Sequence, residues 1–398
     1  RPYRKAEWRM GIWLDASAAN IRLENLHVTD SGGDGLFVYG AKNVTVQDCV
    51  FERHYRQGMS IISADGLLVE RTVFALTNGT APSAGIDIEP DYASNQLKNI
   101  ELRDLVLLDN AGGGFMINAG QLNSSTENIS IDVSNVTVRG SAGVGIAVGN
   151  VVGVGGHITV SATRILNTTG CGLAVYRKDV SAATLVLSNV HFSSVALGVA
   201  GSGRAGCAPQ GPCSPVIIMG GWDPPYTVDV GGFSVSGTIE DSFARPFLVG
   251  SDPGYALVGA KFELTVDNPH GCKSELQKNS SGVDVDVTCH TSVSTPVQLK
   301  SDDTAACPLA PGSCCGNATW SAFAWRALVT ASVAFAPTGL LPPSAAPEAS
   351  TASVAATSSG AVGTNTVCLA NKKFDGCTNA TESGAWSAWH EFSADAAQ

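Results

Sequence analysis

Gly35-Leu36-Phe37-Val38 is the stretch that decides the fold, because it recurs along the chain. Gly11-Ile12-Trp13-Leu14 precedes it; Gly58-Met59-Ser60-Ile61, Gly85-Ile86-Asp87-Ile88, Gly114-Phe115-Met116-Ile117, Gly145-Ile146-Ala147-Val148 and Gly172-Leu173-Ala174-Val175 follow. The intervals are 24, 23, 27, 29, 31 and 27 residues. Self-similarity at this period marks a unit that stacks on its neighbours and does not fold alone. Each unit carries a second stretch that alternates with period two and is rich in Val and Ile, at 20–28, 43–51, 67–74, 99–107, 128–133 and 157–160. Such alternation is the strand signature, and no stretch between is periodic enough for a crossover helix. The repeat therefore predicts an all-β chain: a single-stranded right-handed parallel β-helix with an irregular C-terminal extension. Coils would lie about 4.8 Å apart, joined by parallel ladders.

The repeat also sets a register. The first and third residues after each glycine are apolar in all seven units, so they face the core. The second and fourth must then face out. The glycine marks a bend at which a side chain would clash or φ is positive.

After Gly198 the pattern fades. The organisation read from sequence is regular coils over 1–200, irregular final coils over 201–295 and an Ala/Ser/Thr/Pro-rich, Cys-containing tail over 296–398. The chain begins at Arg1, within what should be a coil, which reads as a mature product or a fragment.

Composition narrows the function. A net charge of −11 argues against nucleic acid and anionic membrane as partners. The apolar run 322–336 is too short for a membrane span. Nine Asn-X-Ser/Thr sequons, at Asn43, Asn78, Asn123, Asn128, Asn135, Asn167, Asn279, Asn317 and Asn379, are candidate glycosylation sites. Nine of the 11 cysteines follow residue 200 at short spacings, Cys207/Cys213, Cys272/Cys289, Cys307/Cys314/Cys315 and Cys368/Cys377. Local staples suit an oxidising, extracellular or cell-surface location. No spacing matches a zinc motif, and no phosphate loop, dinucleotide fingerprint or histidine pair for a metal is present.

Reading the outward columns coil by coil finds the chemistry. The second outward column is Trp13, Phe37, Ser60, Asp87, Met116, Ala147, Ala174; the fourth is Asp15, Tyr39, Ile62, Glu89, Asn118, Gly149, Tyr176. Ionisable residues concentrate on the coils of Gly35, Gly58 and Gly85. Asp34, Asp87 and Glu89 are the catalytic candidates, since carboxyl pairs at about 5–10 Å can divide acid and base work on a glycosidic bond. Crowding raises the pKa of one of them. Arg56, Gln57, Asp91 and Asn118 are candidates for substrate binding, with Trp13, Phe37 and Tyr39 as a stacking surface for sugar rings. Arg56 would clamp a substrate carboxylate, or merely neutralise its acidic neighbours. Asp34 also fits a turn in Gly32-Gly33-Asp34-Gly35. No cofactor is expected, with one alternative: calcium on Asp87, Glu89 and Asp91, three hard oxygen ligands. His54 would be a general base or a surface loop residue. Ser60 has no His/Asp partner for nucleophilic work. Tyr176-Arg177-Lys178, three coils away, reads as an ordinary charged turn.

The repeat, with 31–38 (Ser-Gly-Gly-Asp-Gly-Leu-Phe-Val), 56–64 (Arg-Gln-Gly-Met-Ser-Ile-Ile-Ser-Ala) and 84–90 (Ala-Gly-Ile-Asp-Ile-Glu-Pro), resembles the pectin-lyase-like superfamily of right-handed parallel β-helix proteins. The resemblance covers about residues 8–200. It implies extracellular polysaccharide work by hydrolysis, lysis or epimerisation, at an outward face built from several coils. Gly33-Asp34-Gly35 only faintly echoes the polygalacturonase aspartate motif. The Gly-His-Gly, Arg-Ile-Lys and Asp-Pro-His-Asp motifs of characterised families are missing. Hydrolysis is the first expectation because this face is acidic. A non-catalytic structural or glycan-binding glycoprotein is the alternative, and a polysaccharide lyase or epimerase the second alternative.

Overall fold

The chain is seen here in a computed structural model. It describes residues 5, 6 and 8–291 apart from 198–213, 222–227, 251–254 and 277–279, and beyond these only the short strands Ser332–Val333, Val354–Ala355, Thr366–Cys368 and Cys377–Asn379. No described residue is helical. The strands build three stacked parallel ladders, the walls of a β-helix. The first wall holds the glycine repeats: Ile12–Leu14, the start of Leu36–Gln47, the start of Met59–Glu70, Ile86–Ile88, Phe115–Asn118, Ile146–Gly149, Leu173–Tyr176, Val216–Met219, Leu248–Gly250 and Ser274–Leu276. The other two walls carry the alternating stretches, and their ladders run on to Asp284–His290. The open edge of Ala19–Glu24 is met antiparallel by Ser332–Val333.

Alternation does the sorting. The inward pairs Ile12/Leu14, Leu36/Val38, Met59/Ile61, Ile86/Ile88, Phe115/Ile117, Ile146/Val148 and Leu173/Val175 are all buried in one continuous core with Phe51, Phe74 and Phe192. Phe51 and Phe74 stack at 5.3 Å between adjacent coils. At the corners the chain turns through left-handed conformations, held mostly by Asn and Asp, among them Asn25, Asp48, Asp104 and Asn135. These types tolerate that region best after glycine.

The seven repeat glycines are not at positive φ. Their constraint is close approach. A Cβ on Gly11, Gly58, Gly85, Gly114 or Gly145 would lie 2.5–2.8 Å from the carbonyl oxygen of the repeat glycine one coil on. The outward register holds with one slip: Tyr39 pairs with Ser63, so Ile62 is pushed out of line as a bulge, and the expected Tyr39–Ile62 alignment is corrected.

The Cys272/Cys289 staple forms as a disulfide, closing a separation of 17 residues. Cys49 and Cys171 are buried thiols. Cys207, Cys213, Cys307, Cys314, Cys315, Asn279 and Asn317 lie outside the described residues, as does nearly all of the 296–398 tail.

Gly145→Ala is expected to cost about 1–3 kcal/mol, because the new methyl would sit 2.6 Å from the Gly172 carbonyl in a wall that cannot relax without breaking its ladder. A denaturant midpoint indistinguishable from the parent chain would show that the coils do not approach so closely.

Candidate functional site

The parallel register puts Ser60 beside Asp87 and Asp87 beside Met116, so this outward column stands as the repeat implies. Glu89 follows on the same edge; its backbone N–H donates to the Ile61 carbonyl. Asp34 sits just before Gly35, two coils below Asp87. All three acids are therefore on one wall.

That wall is less open than an outward strand suggests. Asp34 is 0% and Asp87 2% exposed, and Gln57 and Ser60 are buried with them. Asp34 is held by three donors. The Gln57 backbone N–H reaches one oxygen at 3.1 Å; the Ser60 hydroxyl (2.8 Å) and the Arg56 guanidinium (3.2 Å) reach the other. The Gln57 side chain donates to Asp87 at 3.0 Å and accepts from the Ala84 N–H at 2.7 Å. Gln57 thus ties the two buried acids together. Its role is that of a strut within the wall, and Arg56 spans Asp34 and, at 4.0 Å, Glu89.

The two buried acids differ in charge. Burial pushes Asp34 up to about 6, with Arg56, Ser60 and Gln57 opposing, so it is ionised at neutral pH. Burial pushes Asp87 up to about 8; Glu89 and Asp34 add to the rise, and only Arg56 opposes. With one donor against two negative neighbours, Asp87 keeps its proton at pH 7. Burial also raises Asp91.

The exposed part of the site is a rim. The Glu89 side chain is 40% exposed and accepts from Asn118 at 2.9 Å; the Arg56 side chain is 18% exposed. Asn118 in turn accepts from Asn150 (2.7 Å), and Asn150 lies 3.4 Å from the Arg177 guanidinium. Tyr92, 61% exposed, stands on a turn after Asp91 in which Asn95 accepts from the N–H groups of Asp91 and Tyr92. Sequence reasoning missed Tyr92 and Asn150, set Ser60 aside as a nucleophile and read Arg177 as part of an ordinary charged turn. Only Ser60 had a usable signal, its place in the column between Phe37 and Asp87. The aromatic candidates pack on each other: Trp13 edge-on to Phe37 at 5.5 Å, and Phe37 stacked on Tyr39 at 6.1 Å, with Met10 and Ile62. Phe37 is buried by this packing, which leaves Trp13 and Tyr39 at the surface.

Other expectations change. His54 is not a surface residue. It is fully enclosed, its Nδ1 pairs with the Ser31 hydroxyl at 2.7 Å, and burial drives it down to about 3, so it is a neutral spacer. Asp87, Glu89 and Asp91 do not converge as calcium ligands. Asp87 turns to Gln57 and Glu89 to Asn118, and no metal-holding group of three or more His, Cys, Asp or Glu side chains occurs among the described residues. The sequon residues Asn43, Asn78, Asn123, Asn128, Asn135 and Asn167 are all exposed. No helix among the described residues is long and apolar enough to cross a membrane.

The raised Asp87 has a consequence for stability. Its folded value lies above the ordinary 3.8, so the stabilisation from its buried neutral form is fully present below about pH 4 and is lost as pH rises through about 8. Asp87→Asn keeps an acceptor for Gln57 and removes this loss. The melting temperature of the parent chain should therefore fall by several degrees relative to Asp87→Asn between pH 5 and pH 9. Parallel curves would mean that Asp87 ionises freely in the folded wall.

Comparison with known proteins agrees with this architecture. Residues 8–131 match a family described as the right handed beta helix region, a span that contains Asp34, Arg56, Asp87 and Glu89. No curated protein matches the chain. With the stacked parallel ladders and the glycine repeat, this match agrees with a right-handed parallel β-helix.

Proposed function

We propose that this protein is an extracellular glycan-acting enzyme that hydrolyses a glycosidic bond on the first wall. The observation that carries the reading is a pair of carboxyl groups two residues apart, Asp87 on the strand Ile86–Ile88 and Glu89 just past its end, in opposite surroundings. Asp87 is enclosed and keeps its proton, whereas Glu89 faces solvent beside Arg56 and Asn118. Two neighbouring acids whose environments divide them in this way can take the acid and base roles at one bond. Asp87 would give its proton to the leaving oxygen, from the carboxyl oxygen that Gln57 does not occupy. Glu89 would activate the attacking water or attack the sugar itself. Asp34 is fully engaged by its three donors, so it is a positioning residue: it fixes Arg56 and Ser60. Arg56 pairs with Asp34 at 3.2 Å and lies 4.0 Å from Glu89, so it would hold these acids in place before it clamped a substrate carboxylate. Trp13, Tyr39 and Tyr92 would receive the flat faces of sugar rings. The Cys272–Cys289 disulfide and the exposed sequons support an oxidising, extracellular setting.

A non-catalytic glycan-binding or structural role is the second reading. The near-complete enclosure of Asp34 and Asp87 favours it, because an acid that serves only to knit coils together needs no access to solvent.

A panel of polysaccharides scored for new reducing ends and for ultraviolet-absorbing unsaturated products separates the readings. Asp87→Asn and Glu89→Gln should each lower hydrolysis by about 10²–10⁴-fold while leaving glycan binding within a few-fold. Activity of the parent chain should fall as pH rises through about 8, where Asp87 loses its proton. Undiminished activity in both variants would remove them from the chemistry. Unsaturated products would point to lysis. Binding without turnover on every glycan would leave the second reading.

A further inference from the structure

We infer that Arg177 forms an anion-binding subsite at the far end of the same wall. The glycan would then carry a carboxylate or sulfate group about three sugar units from the residue held at Glu89. The inference rests on the glycan-acting reading above but not on catalysis.

Three arginines in the described chain occupy left-handed corners: Arg53 (φ 57), Arg71 (φ 46) and Arg177 (φ 46). This conformation is uncommon for so large a residue, so each invites the question of what the side chain does there. For two of them the answer is an acid one coil below. Arg53 pairs with Asp30 at 3.1 Å, and Arg71 grips Asp48 at 2.9 and 3.0 Å. Arg177 has no such acid. The residue below it is Asn150, whose amide oxygen is 3.4 Å away, and no carboxylate lies within ion-pair distance among the described residues. A guanidinium is always charged, and its planar fork matches carboxylate or sulfate.

Its neighbours make the position specific. Lys178 is buried and turns inward, donating to the carbonyls of Asp179 (2.7 Å) and Gly231 (3.1 Å), so of the two adjacent cations only Arg177 is left part-exposed. The hydrogen-bonded line Glu89–Asn118–Asn150–Arg177 climbs one coil per step. At about 4.8 Å per coil, Arg177 stands roughly 14 Å above Glu89. Each step is close to the length of one hexose unit in an extended glycan. The lower end, with Asp34, Glu89 and Asp91, repels an anion and suits an uncharged sugar; the upper end attracts one. The wall is thus polarised along the axis on which a glycan would lie, and it discriminates where along the glycan the charge falls.

The test uses the full chain and an array of oligosaccharides of equal length in three sets: uncharged, bearing one carboxylate or sulfate, and charged on every unit. The parent chain should bind its best singly charged oligosaccharide about tenfold more tightly than the uncharged counterpart, and the fully charged one less tightly than the singly charged. Arg177→Gln should erase the preference for the single charge without shifting the melting temperature or the affinity for uncharged chains; Arg177→Lys should restore part of it. Equal binding of uncharged and singly charged chains, or a preference that survives Arg177→Gln, overturns the inference and leaves the glycan-acting reading standing. Failure to bind any of the three sets overturns both.

Discussion

The structure depends on how closely one coil can approach the next at the start of the first wall. There, each of the first six repeat glycines presents its missing side chain to the carbonyl oxygen of the next glycine, at distances no methyl group could share. The backbone N–H groups of the same segments donate across this contact, from Ile12 to Gly35, Leu36 to Gly58, Met59 to Gly85, Ile86 to Gly114 and onward. A side chain here would force the coils apart where the parallel ladder begins. Nearly all else follows from the approach: the inward pairs stack as layers because their coils are held in step, and outward residues from distant parts of the chain become neighbours for the same reason.

The same approach explains why the acids are buried. Outward on a β-helix wall means away from the core, and adjacent outward side chains still lie about one ladder spacing apart. Small and mid-sized polar side chains at that spacing shield one another. Asp34 is covered by Arg56, Gln57 and Ser60 of the next coil, and Asp87 by Gln57 and its neighbours. Desolvation is then unavoidable, and the number of donors decides which acid remains charged. Three donors hold Asp34 ionised; one donor and two negative neighbours leave Asp87 protonated. The division of roles between them is thus a product of stacking geometry, set by Gln57 giving its backbone to one acid and its side chain to the other.

Much of this is legible in the sequence because the period is. The glycine intervals give the coil, the apolar residues one and three places later give the core, and the alternation gives the outward columns in which Ser60 and Asp87 are found together. Short spacing groups Cys272 with Cys289, and the structure supplies the pairing. What the sequence hides is what register arithmetic cannot reach. The bulge at Ile62 breaks the fourth column by one residue, because the strand bends there from one wall to the next. His54 looks like a loop residue by composition, yet the corner folds it inward against Ser31 and up to the face of Gly35. Arg177 resembles any charged turn until its left-handed corner is compared with those of Arg53 and Arg71.

The upper half of the wall shows why polar chemistry is confined to the lower. Above Asp87 the second outward column continues as Met116, Ala147, Ala174 and Ile217, and these pack with Val144, Cys171 and Tyr176 into a separate apolar cluster outside the core. Gly149 makes room for the Tyr176 ring, which would collide with any side chain there. An ionised acid in that column would be desolvated with no donors to answer it, whereas in the lower coils Arg56, Gln57 and Ser60 supply them. Along the edge, the amides of Asn118 and Asn150 and the guanidinium of Arg177 keep one side toward water. The wall therefore divides into a polar lower face, an apolar upper face and a hydrogen-bonded rim that joins them, and a ligand reaching both ends would have to lie along that rim.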